Sequence, residues 1–193
     1  MLRGAKEKKE RALGEHLHLK AYRCQTPKCA LVRRPFKPGP HGQKRGRRTI
    51  SDFGKQLKEK QKFKLSYGID ESNLRKLLGE AQRSQSSTVE KLIELVERRL
   101  DNVIFRLGLA ASRSQGRQLI IHGHVFVNKK RVRSPGFSVK VKDIISVREE
   151  SREKANFRNL KEALQNYQQP AWLVLDKEKL EGTVVDLPRE AEL

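Results

Sequence analysis

The sequence predicts an α+β protein: an extended basic N-terminal arm, a small helical domain, and a module of two to three helices packed with a small antiparallel sheet. Three observations predict it. Pro27, Pro35, Pro38 and Pro40, with Gly39 and Gly42, break any helix after Arg23. Apolar residues then recur at helical spacing from Ser51 to Ile121. From His124 onward the pattern alternates as strands do.

Residues 1–50 read as the arm, with too little apolar content to bury a core and an order that would form against a partner. Residues 51–96 read as the helical domain, joined by the tail 186–193. Its first helix pairs Phe53 with Leu57 and carries Asp52 in the first turn, where the helix dipole favours an acid. Asp70 caps a second helix whose buried stripe is Leu74, Leu77, Leu78 and Ala81. Thr88 opens the strongest helix, in which Val89, Leu92, Ile93, Val96, Leu100, Val103, Ile104 and Leu107 keep one stripe until Gly108. Arg99, Asn102 and Arg106 share another face of this helix and should project away from the core, with Arg98 alongside.

Residues 97–185 read as the basic module with a following helix and strands. Ser112 and Gln115 have capping-box spacing, Gly116 allows close helix approach, and Gly123 stops the helix at C′. His124–Asn128 is a strand, Lys129-Lys130 turns it, and Arg131–Arg133 returns. Val139 with Val141, and then Ile144–Val147, alternate as further strands. A helix from Ser151 carries Phe157, Leu160, Leu164 and Tyr167 on one face, and Trp172–Leu175 and Thr183–Val185 close the sheet.

Charge gives the functional class. The chain carries 43 basic and 23 acidic side chains, a net charge of +20. Residues 1–64 hold 20 basic against 5 acidic, and residues 98–148 hold 12 against 2, while the segments between and after are slightly acidic. Cations gathered in two blocks call for a polyanionic partner. No apolar run is long enough for a membrane span, and the N-terminus lacks the apolar stretch of a signal peptide. Cys24 and Cys29 alone suit a reducing, cytoplasmic setting, with an organelle as the alternative.

The candidate RNA-binding residues follow the blocks. In the arm they are Arg33, Arg34, His41, Gln43, Lys44, Arg45, Arg47 and Arg48, and on the first helix Lys55, Lys58 and Lys62. In the module they are Arg98, Arg99, Asn102, Arg106, Arg113, Arg117 and Gln118, then His122, His124, Asn128, Lys129, Lys130, Arg131 and Arg133. Lys and Arg meet phosphates, and A-form RNA offers shape more readily than base edges. Phe53, Phe157, Tyr167 and Trp172 all read as core, which leaves few aromatics for base stacking. No nucleophile is placed beside His41, and no catalytic residues are expected. Arg99-Leu100-Asp101 resembles the G-R-L-D of pseudouridine synthases, yet Arg98 replaces the glycine and Asp101 reads as a helix-surface acid in a local ion pair.

The run HGHVFVNKKRV is similar to the S4 RNA-binding domain, and its flanks SDFGKQLKEKQK, ERRLDNVIFRLGLAASRSQGRQLIIHGHVFVN and WLVLDKEKLEGTVVDLP extend the likeness. The chain thus resembles the bacterial-type family of ribosomal protein S4 from about Arg11 to Pro188. The resemblance implies a structural protein of the small subunit that binds the five-prime domain of its rRNA early in assembly. It also implies that the stretch after PGPHG lies near the channel by which messenger RNA enters, with small-subunit protein five as a neighbour. Repression of its own messenger, or a role as the detached binding half of an rRNA-modifying enzyme, are the alternatives. Many members hold zinc with a C-x-x-C and a C-x₄-C pair; here Cys24 and Cys29 supply the second, while Glu7 and Glu10 stand at the first. Two thiolates alone do not close a tetrahedral site, so no cofactor is expected. Lys129 replaces the usual hairpin glycine, which predicts a looser turn. The sequence also stops short of the family's apolar, Tyr-ending tail, which removes support for the tail's contacts with the first domain and protein five.

Overall fold

The computed structural model describes residues 5–43, 50–152, 157, 160, 164 and 167–189. The chain divides into two compact units, Met1–Leu74 and Arg75–Leu193.

In the first unit, α1 (Lys6–Leu13), α2 (Ala21–Cys24) and α3 (Ala30–Arg33) are short helices joined by turns. Polar side chains organise them where apolar ones are scarce. The buried Glu10 carboxylate accepts the backbone N–H groups of Leu17 and Leu19, both at 3.1 Å. Arg11 donates to the carbonyls of Arg34 and Phe36, each at 3.0 Å, and lies 5.0 Å over the Phe36 ring. Leu19 and Cys29 are the buried apolar residues of this segment, so the stretch read as an arm carries local order among its described residues.

α4 (Asp52–Tyr67) begins where Ser51 Oγ accepts the Gly54 N–H at 3.2 Å and ends at Gly68, whose φ is +67°. It packs through its C-terminal half, where Leu65 and the following Ile69 are buried. The placing of Phe53 in a core is therefore corrected: it is 74% exposed and Leu57 40%, because the first half of α4 has no apolar partner among the described residues. α5 (Glu71–Gln82), within which the boundary between the units falls, starts with Asp70 Oδ1 accepting the Asn73 N–H at 2.9 Å. Leu74 and Ala81 are buried, while Leu78, expected in the same stripe, is exposed.

In the second unit the long helix expected from Thr88 to Leu107 is two helices, α6 (Thr88–Glu97) and α7 (Leu100–Arg106). Arg99 adopts extended backbone between them, with φ −67° and ψ 134°. The break has a tertiary cause. The 135–139 segment inserts there, its Phe137 and Pro135 carbonyls accepting the N–H groups of Leu100 (2.8 Å) and Asp101 (3.1 Å), while Val139 donates to Arg98 O (2.9 Å). The same pairing explains why no strand runs through Val139 and Val141: one bridge, Arg99 to Ser138, takes its place.

α7 ends in a Schellman turn at Gly108, and α8 (Arg113–Ile121) ends in another at Gly123, where His124 N–H reaches Leu119 O at 3.0 Å and Gly123 N–H reaches Ile120 O at 2.8 Å. Gly116 lets the two helices touch: a Cβ there would stand 3.0 Å from Asp101 O. The sheet is antiparallel throughout, in the order β2 (Lys130–Arg131), β1 (Val125–Val127), β3 (Ile144–Val147), β5 (Glu181–Val184), β4 (Leu173–Asp176). Val125, Val127, Ile145, Val147, Val184, Leu173 and Leu175 face inward onto Leu100, Val103, Ile104 and Leu107 of α7 and Leu119 and Ile120 of α8. α9 (Glu149–Arg152) starts two residues before the expected Ser151; Phe157 and Leu164 are buried in the same core, and Leu160 and Tyr167 pack on it.

Candidate nucleic-acid interface

The hairpin between β1 and β2 is a two-residue turn, since Val127 pairs with Lys130. Asn128 and Lys129 both have positive φ, +50° and +64°, the signature of a type I′ turn. The expected looser turn is corrected: the turn stays tight without its glycine because Asn128 is tied down. Its Nδ2 donates to Asp143 Oδ1 at 2.7 Å and its Oδ1 accepts the Ile144 N–H at 2.9 Å. The loop before β3 is thereby stitched to the hairpin, and with it come Lys140 and Lys142, both exposed. These two cations were missed by the sequence reading, although they lie inside the same basic block. Lys129, Lys130 and Arg133 are exposed with no ion pair among the described residues. Arg131 donates to His122 O at 3.3 Å across Gly123, where a Cβ would stand 2.2 Å from Arg131 Nε.

The helical cations are held quite differently. Arg99, Asn102 and Arg106 were expected to project from the core, and this is corrected: Arg99 and Asn102 are buried, because the break after α6 turns them inward. Arg99 grips buried Asp101 with two hydrogen bonds, of 3.1 Å from Nε and 2.8 Å from Nη2. Asp101 is therefore no surface acid. Arg117 Nη1 stands 3.7 Å from it. Arg106 makes a matching two-pronged bond to Glu97, at 3.1 and 3.0 Å, and Asn102 Nδ2 adds a third to the same carboxylate at 2.6 Å. Arg113 Nε reaches Asn102 Oδ1 at 2.7 Å, and its guanidinium lies 4.7 Å over the Phe105 ring. Arg98 bonds Glu94 at 2.8 Å and the Val139 carbonyl at 2.9 Å. Burial alone would raise the Glu94 carboxyl, but hydrogen bonds from Lys91 and Arg98 outweigh it and hold the group below its usual value.

Glu97 is the polar residue that sequence reasoning overlooked, and Asp101 makes the expected local ion pair but is buried. The signal was present, since Ile93, Glu97, Leu100 and Ile104 fall on one helical stripe, and an acid among buried apolar positions needs a partner. Gln118 and His122, at the other predicted positions of α8 and its C-cap, are exposed. His124 is half-buried, its Nδ1 2.9 Å from Ser151 Oγ and its ring edge-on to Phe157.

In the first unit Arg33, Arg34, His41 and Gln43 are exposed, while Lys44, Arg45, Arg47 and Arg48 lie outside the described residues. The α4 lysines are paired. Glu15 takes Lys58 (3.1 Å) and Lys62 (2.7 Å) on one side, Glu71 takes Lys60 (2.7 Å) and Lys64 (3.1 Å) on the other, and Lys55 pairs with Asp52 at 2.9 Å. The Lys60 and Lys64 hydrogen bonds pull the Glu71 carboxyl down to about 2, and those of Lys62 and Lys58 lower Glu15.

The cysteines do not gather a metal set. Cys24 Sγ lies 3.9 Å from Glu10, whose carboxylate already serves two backbone amides, Glu7 pairs with Arg23 at 3.0 Å, and Cys29 Sγ lies 3.8 Å from His16 Nδ1. Burial first, then the nearby Glu10 charge, pushes the Cys24 thiol up and away from the thiolate a metal would need. Among the described residues no group of three or more side chains is arranged to hold a metal ion.

Two family patterns match adjoining stretches of the chain, together residues 1–145. The ribosomal protein S4/S9 N-terminal domain covers residues 1–97, and the S4 domain covers residues 98–145. The chain is 48% identical to the small ribosomal subunit protein uS4 of Thermoanaerobacter pseudethanolicus over 180 residues, 93% of this chain and 85% of that protein. It is 46% identical to uS4 of Pelotomaculum thermopropionicum and 44% identical to that of Acetivibrio thermocellus, each over 93% of this chain and 86% of the relative. The helix break that admits the 135–139 segment thus falls where the two patterns meet, and the chain belongs to the ribosomal protein S4 family.

Proposed function

We propose that this protein is a structural, non-enzymatic component of the small ribosomal subunit that binds its rRNA. One observation carries the reading. The region matched by the S4 domain presents exposed Lys129, Lys130, Arg133, Lys140 and Lys142 on a hairpin and loop stitched together by Asn128 and Asp143. Cations on a rigid frame suit phosphates held in a fixed arrangement, with affinity driven by counterion release. Selectivity then comes from the shape of an RNA junction, as A-form geometry favours.

The finer parts of the proposal rest on the family resemblance. They are nucleation of the five-prime domain of the rRNA, a place for Gln43 and the following cations beside the incoming messenger, a contact with small-subunit protein five, and a location on cytoplasmic ribosomes. The division at 1–50, 51–96 and 97–185 is proposed likewise. The candidate residues with the clearest claim to RNA are the exposed ones; Arg99 and Asn102 support others from within. Sedimentation of a tagged full-length chain tests the reading. It should travel with small subunits through moderate salt, and recovery only in the ribosome-free fraction would overturn it.

A further inference from the structure

Removing an acid from a protein that grips a polyanion should tighten the grip. Two buried acids of the second unit are arranged for the opposite outcome. The Glu97 side chain is 0% exposed and holds Arg106 by two hydrogen bonds and Asn102 by one. Asn102, buried in turn, passes the constraint to Arg113, which is clamped from its other side by the Phe105 ring. Asp101 holds Arg99 by two hydrogen bonds and draws Arg117 to 3.7 Å. Arg117 Nε is buried with no hydrogen-bond partner among the described residues, so this guanidinium is held in place without being fully used. Arg106 and Arg117, held by the acids, and Arg113, held through Asn102, are each part-exposed.

We propose that Glu97 and Asp101 are positioning residues for rRNA recognition, buried anions that set the guanidinium groups of Arg106, Arg113 and Arg117 in one geometry before RNA arrives. The inference rests on the rRNA-binding reading above. An arginine side chain loses much rotamer freedom when it is immobilised on a partner, and a chain already fixed in its bound geometry avoids that loss at the moment of binding. The guanidinium fork also demands orientation, because two parallel N–H groups must face one phosphate. Neutralising the acid keeps the cations but frees them to wander. Electrostatics alone and pre-organisation therefore predict opposite signs.

The test uses the full chain and a transcript of the five-prime domain of small-subunit rRNA, with affinity measured across a salt series and folding followed by circular dichroism. Glu97→Gln should stay folded and bind about tenfold more weakly despite its extra positive charge, a difference of about 1.4 kcal/mol. Glu97→Asp should recover most of the loss, because the charge is retained. Asn102→Ala, which leaves net charge unchanged and cuts the link to Arg113, should weaken binding severalfold. Glu90→Gln, at an exposed acid on α6, should bind as well as the wild type or slightly better. Folded Glu97→Gln and Asn102→Ala proteins that bind as tightly as the wild type, or more tightly, would overturn the proposal. If Glu97→Gln does not fold, Asn102→Ala decides. Failure of the wild type to bind the transcript would instead sink the rRNA-binding reading.

Discussion

Lys129→Gly should move stability and RNA binding in opposite directions. Lys129 occupies the second central position of a type I′ turn with φ +64°, where a Cβ is costly and glycine is free. Left-handed backbone costs a side-chain-bearing residue about 1–2 kcal/mol. Glycine gives back about 0.5–1 kcal/mol through its greater freedom in the unfolded chain. The net gain is about 0.5–1 kcal/mol, which in a unit of this size raises Tm by about 2–6 °C. The lost ammonium costs the protein nothing, because Lys129 is exposed with no ion pair among the described residues. On RNA it should cost one phosphate contact, flattening the plot of log K against log salt by about 0.7–0.9. Lys129→Ala is the control, since it loses the charge and keeps the strain. Thermal unfolding with filter binding across a salt series should show two variants with equal slopes and different stabilities. A Gly variant no more stable than the Ala variant would refute the turn geometry, and an unchanged slope in both would refute the phosphate contact.

Other perturbations reach the frame and the first unit. Gly182→Ala should destabilise the second unit by about 1–3 kcal/mol, because the new Cβ would lie 2.4 Å from Leu107 Cδ1, and urea unfolding of that variant with and without Leu107→Ala should show a less-than-additive loss. Arg113→Ala with Arg117→Ala should flatten the salt slope by about 1–2, with an unchanged slope showing that these guanidinium groups meet no phosphate. The folded Glu71 carboxyl titrates at about 2, below its ordinary 4.5, so its stabilising effect is present above the unfolded value and lost as pH falls from about 4.5 towards 2. Thermal melts across that window should therefore fall more steeply for the wild type than for Glu71→Gln, and parallel curves would contradict the Lys60–Glu71–Lys64 bridge.

What could be read from the sequence was what local chemistry determines. Ser112, Gly116 and Gly123 fix the start, the packing and the end of α8 by capping and sterics, and each is visible within a few residues. The alternating strands that became β1, β3, β4 and β5 were legible for the same reason. The break at Arg98–Arg99 was not, because the apolar stripe runs straight through it and the cause, backbone from Pro135 to Val139, lies far along the chain. That one long-range pairing also turned Arg99 and Asn102 inward and left the sequence reading with their direction wrong. Phe53 failed for a complementary reason: helical spacing identifies a stripe, but a partner is needed to bury it. Charge counting located the basic blocks correctly and could not distinguish cations spent on Glu97, Asp101, Glu15 and Glu71 from those left facing solvent on the hairpin.

Crosslinking on intact small subunits, with peptides read by mass spectrometry, tests the central claim most directly. Peptides spanning Ser112–Arg133 and Lys140–Lys142 should carry rRNA adducts. Crosslinks from these peptides to ribosomal proteins alone, with no RNA attached, would contradict it.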